Sequence, residues 1–102
     1  MANFYESRTY LPTGMNPGDI NASVWRIEVR WMRPGEPGTW SVLQRGMREH
    51  RLSRTGKWLW MPSRMNLRWT YFDFETACDL AEQHIEGLRI NGRTWADVEA
   101  SR

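Results

Sequence analysis

Val24-Trp-Arg-Ile-Glu-Val-Arg-Trp-Met32 alternates strictly: Trp25, Ile27, Val29 and Trp31 fall on one side, Arg26, Glu28 and Arg30 on the other. A period of two over this length is the signature of a strand with one buried face. Arg33-Pro-Gly-Glu-Pro-Gly38 follows, too rich in Pro and Gly to continue a strand and short enough to join two antiparallel ones. Thr39 to about Met47 then reads as the return strand, with Trp40 and Val42 on one face.

Downstream, Arg48-Glu-His-Arg-Leu-Ser-Arg-Thr-Gly56 is polar and ends in a turn signal, which fits a strand end or an excursion loop equally. Lys57-Trp-Leu-Trp-Met61 is a short strand stopped by Pro62, which cannot donate to a ladder. Leu67-Arg-Trp-Thr-Tyr-Phe72 alternates and reads as a fourth strand. A helix follows over 74–88, capped by Asp73, with Ala77, Leu80, Ala81, His84, Ile85 and Leu88 recurring at helical spacing. Asn91-Gly92 is a strong turn dipeptide. Arg93–Glu99 reads as a short strand, or as a last helical turn with Thr94 and Asp97 in a variant of the capping box; the strand is preferred. The expected fold is therefore α+β: an antiparallel meander of about four strands, one helix across one face and a short C-terminal element. Residues 1–23, punctuated by Pro12, Gly14, Pro17 and Gly18, form an irregular arm anchored by Phe4, Tyr5, Tyr10 and Leu11, and 24–102 the single domain.

At 102 residues the chain has room for one domain, and its seven Trp, three Tyr and three Phe exclude a disordered class. No apolar run is long enough for a membrane span and the N-terminus has no export signal, so a cytoplasmic protein is expected. Without that signal, Asn21-Ala-Ser23 carries no meaning as a glycosylation site. One cysteine, Cys78, excludes an internal disulfide, and with only His50 and His84 beside it no structural zinc site or other cofactor is expected.

Catalysis is not expected either. His50 neighbours Glu49, but adjacent strand residues point to opposite faces, and Cys78 and His84 lie on different faces of the helix. Gly-rich phosphate loops are absent.

Binding is the remaining class, and charge and aromatic placement suggest where. Residues 26–68 hold ten basic against three acidic residues, a net of +7, while 69–102 hold three against seven, a net of −4. Such asymmetry bears on partners rather than on fold. The densest positive run is Arg45, Arg48, Arg51, Arg54 and Lys57, the set expected to hold phosphates if nucleic acid is bound. Trp25, Trp31 and Trp69 sit on regularly alternating faces and are expected in the core. Trp58 and Trp60 share one face of a strand whose other face, Leu59 and Met61, is equally apolar. One helix covers only one sheet face, so a partner surface is expected at Trp58 and Trp60 with Lys57, Arg64 and Arg68 as its rim.

Phe72-Asp-Phe-Glu-Thr-Ala77, continuing through Ala81-Glu82 to Arg89-Ile-Asn-Gly-Arg-Thr-Trp-Ala-Asp-Val-Glu99, resembles the ending of small accessory proteins encoded by phages of actinobacteria. The resemblance implies a non-catalytic phage product, either a virion accessory or an effector that binds and obstructs a host protein. No site residue is carried over from it. The leading expectation is thus a small protein that occludes a partner's surface; nucleic-acid binding through the basic run, and a homo-oligomer that buries its second apolar face, are the alternatives.

Overall fold

The computed structural model describes residues 7–45, 48–60 and 67–102. Five strands, β1 (Arg8–Tyr10), β2 (Ile27–Trp31), β3 (Trp40–Gln44), β4 (His50–Leu52) and β5 (Trp58–Trp60), form one antiparallel sheet in sequence order. Helix α1 (Phe74–Ile85) packs across it, and a short helix α2 (Trp95–Ala100) ends the fold. The α+β meander expected from the alternation is the architecture observed.

Register explains which side chains the helix covers. Val29 pairs with Arg8 and Val42, and Ile27 with Tyr10 and Gln44, so Ile27, Val29, Val42 and Leu52 project from one face. Against them α1 lays Ala77, Cys78, Ala81 and Ile85, followed by Leu88, which together make the main core. Small residues on the helix stripe let its backbone approach the sheet, while Trp40, Phe74 and Trp58 fill the margins. Trp40 lies 4.6 Å from Phe74, centroid to centroid, and stacks flat on Trp31 at 5.5 Å.

Four expectations are corrected. Arg8–Tyr10, placed in an irregular arm, adds a fifth strand to the free edge of β2. The segment after it is ordered too: Thr13 donates from its N–H and its hydroxyl to the Glu86 carboxylate, both at 2.7 Å. Leu67–Thr70 is a 3-10 turn, not a strand. The Thr70 hydroxyl donates to the Leu67 carbonyl at 2.7 Å and the buried Ser41 hydroxyl to the Thr70 carbonyl at 2.8 Å, which stitches the turn to the sheet. Only Phe72 pairs with β3, exchanging two backbone hydrogen bonds with Trp40, where β4 is too short to reach.

The third correction is Arg93–Glu99, where the capping alternative prevails over the strand. Asp97 N–H donates to Thr94 Oγ1 and Thr94 N–H to Asp97 Oδ2, a reciprocal box that starts α2. Last, the tryptophans divide. Trp25 leaves the main core for a second one, packing at 5.5 Å on Trp95 with Met15 and Ala22. Trp31 is half-buried, and Trp69, expected in the core, is 55% exposed on the 3-10 turn. Met61, Arg64, Phe4 and Tyr5 lie outside the described residues.

The expected cap of α1 forms: Asp73 accepts from the Thr76 N–H at 2.7 Å. That bond holds the Asp73 carboxyl below the usual carboxylate range. A depressed folded pKa stabilises the protein above the ordinary carboxyl value, and the contribution is lost as pH falls through the folded one. Asn caps as well as Asp but does not titrate. The melting temperature of the parent is therefore expected to fall more steeply than that of Asp73→Asn as the pH drops below about 4. Parallel profiles in thermal melts followed by circular dichroism would contradict this.

Candidate functional site

The residues expected to form a partner surface separate into two places. Trp58 is half-buried under α1, its ring edge-on to His84 at 6.0 Å, and so belongs to the core margin. Trp60, two residues on along the same face, lies past this contact and is 50% exposed. The Arg48 guanidinium sits over its ring, 4.9 Å from the centroid. Lys57 and Arg68 are exposed at the opposite end of β5. There the Ser53 N–H donates to the Lys57 carbonyl and the Arg54 N–H to the Trp69 carbonyl, both at 2.8 Å, which brings the 3-10 turn beside the β4–β5 turn.

The basic run is also divided. On the sheet face away from α1, Glu28 pairs across β3 with Leu43, which pairs with Arg51. Glu28, expected to face water, is 5% exposed and ringed by Arg45 Nε at 3.0 Å, Arg30 at 3.5 Å and Arg26 at 3.7 Å. Arg45 also meets Glu49 at 2.9 Å, and Arg51 is buried with its Nε 4.0 Å from the same carboxylate. Arg54 donates to the Tyr71 carbonyl at 3.2–3.3 Å. Arg45, Arg51 and Arg54 are thus engaged within the fold, and the five cations do not form one stripe ready for phosphates.

Arg48 differs from these. It lines an open pocket of about 400 Å³ with Gln44, His50, Trp58, Arg89, Ile90 and Asn91. The sheet supplies Gln44, His50 and Trp58, which all project from the helix-covered face, Trp58 at the margin of α1. The other wall is the Ile90–Arg93 turn, in which Ile90 and Arg93 exchange backbone hydrogen bonds of 2.9 and 3.2 Å. Asn91 and Gly92 have φ of 54° and 79°, the left-handed pair that a two-residue type I′ turn requires. Arg89 Nη1 donates to the Gly92 carbonyl at 2.9 Å, which steadies its guanidinium against the turn. His50 Nδ1 donates to the Arg48 carbonyl at 3.0 Å.

No carboxylate lines this pocket, and neither Arg48 nor Arg89 has an ion-pair partner among the described residues. Arg89, Gln44 and Asn91 are missing from the residues that the sequence singles out for binding. The only sign of them there is the Asn91-Gly92 turn, since convergence of a turn on a sheet end is a tertiary property. Among the described residues there is no cluster able to hold a metal ion, and no helix is long and apolar enough to cross a membrane. No family model, no curated protein and no solved structure matches the chain.

Proposed function

We propose that the chain is a small non-catalytic binding protein that covers an acidic surface of a protein partner, docking through the Trp60 end of β5. The observation that carries this reading is Trp60 itself: an indole half in water on the last strand of the sheet, overlaid by the Arg48 guanidinium. Tryptophan and arginine are the residue types that most often dominate protein contacts. A cation already stacked on the ring loses little conformational freedom on binding. Arg48 and Arg89, neither of which is in an ion pair among the described residues, favour an acidic counterpart. The C-terminal resemblance to accessory proteins of actinobacterial phages points to a host protein met in the host cytoplasm, or to a virion component, as the partner.

The test compares the parent with Trp60→Ala, each immobilised and exposed to a nuclease-treated actinobacterial lysate. A protein held by the parent, released by salt and absent from the variant is the expected result. Retention unaffected by Trp60→Ala would refute the docking surface. Oligonucleotide binding at low ionic strength with no protein retained would favour the nucleic-acid alternative instead. A mass above that of the monomer in light scattering that persists on dilution would favour the homo-oligomer.

A further inference from the structure

The pocket beside Trp60 has features that a flat docking surface does not need. Among the described residues its lining brings together two guanidiniums and no carboxylate, which favours an oxyanion, and a dianion over a monoanion. At about 400 Å³ it is far larger than one inorganic ion and lies in the range of small-ligand sites. One wall is the Trp58 indole, held by α1 through His84, and another the Ile90 side chain, held by the second core. Together they offer apolar surface to a flat ring.

Gln44 narrows the choice further. It is only 9% exposed, belongs to the pocket lining and carries a side-chain amide. Its donor and acceptor pair is the group that matches the edge of a nucleobase, and Asn91 presents a second such amide on the opposite wall. Cations for a phosphate, an indole for a ring and an amide for the ring's edge are the three elements of nucleotide recognition.

We propose that the pocket formed by Gln44, Arg48, His50, Trp58, Arg89 and Asn91 binds a nucleoside monophosphate, its phosphate between Arg48 and Arg89 and its base against Trp58 and Gln44. The site shares Arg48 with the Trp60 contact but does not require the partner. Calorimetric titration of the intact chain with AMP, GMP and CMP, against adenosine, ribose 5-phosphate and inorganic phosphate, tests it. At least one nucleotide is expected to bind about tenfold or more tightly than any of the fragments. In amide and indole spectra of the parent, that nucleotide is expected to shift the Trp58 indole N–H and the Gln44 and Asn91 side-chain amides. Arg89→Glu, at an exposed position, is expected to weaken binding by about tenfold or more while the far-ultraviolet circular dichroism stays that of the parent. No nucleotide binding at millimolar concentration, inorganic phosphate binding as tightly as every nucleotide, or Arg89→Glu binding like the parent would each overturn the proposal.

Discussion

Trp95→Ala is expected to lower the free energy of unfolding by about 3–5 kcal/mol, the cost typical of truncating a large aromatic in a core. Trp95 is 4% exposed and starts α2, a helix of only six residues that has too few turns to persist alone. Its ring meets Trp25 at 5.5 Å and closes the small cluster with Met15 and Ala22, so one deletion opens a cavity and unseats three segments together. Trp25→Ala, truncating the other half of the pair, is expected to fall in the same range. Trp69→Ala is the contrast: more than half exposed on the 3-10 turn, it is expected to change stability by no more than about 0.5 kcal/mol. Urea unfolding of the variants measures all of these. Equal losses at Trp69 and Trp95 would mean that the second cluster is not a core.

That contrast also marks how far the sequence could be read. The strand at 27–31, the hairpin to Trp40, the strand at Trp58 and the helix with its Asp73 cap were all legible, because each depends on local periodicity, turn chemistry or capping. Trp69 was misread because Leu67–Phe72 alternates as a strand does. The choice between strand and 3-10 turn was made by the Ser41 hydroxyl and the free end of β3, both distant in sequence. Arg93–Glu99 was ambiguous for the opposite reason: both readings were local, and the reciprocal Thr94–Asp97 bonds decided between them. The candidate site was legible only in part. Trp60 and Arg48 stand out as exposed aromatic and cation, whereas their meeting with Arg89 and Asn91 depends on where α1 ends and the Asn91-Gly92 turn folds back. Nor does a run of arginines reveal which of them already have carboxylate partners.

Glu28 makes that last point measurable. Glu28→Gln is expected to destabilise the protein by about 3 kcal/mol, because it keeps the side-chain shape while leaving Arg26, Arg30 and Arg45 around a neutral group. Removing one partner of a buried ion cluster usually costs about 3–5 kcal/mol, and the lower end applies here because the three arginines are each about a third exposed and partly screened by water. Salt dependence separates this cause from a packing defect. In the parent, added salt weakens attraction between Glu28 and its arginines; in Glu28→Gln it weakens repulsion among the arginines, so the gap between the two is expected to narrow as salt rises. Urea is the denaturant of choice, since guanidinium chloride is itself a salt. Arg45→Met in the Glu28→Gln background removes the closest cation, keeps an unbranched apolar stem, and is expected to recover part of the loss, whereas Arg45→Met alone is expected to destabilise. If the two substitutions were instead additive, the pairing of Glu28 with Arg45 would contribute nothing and the cluster would be held by packing alone.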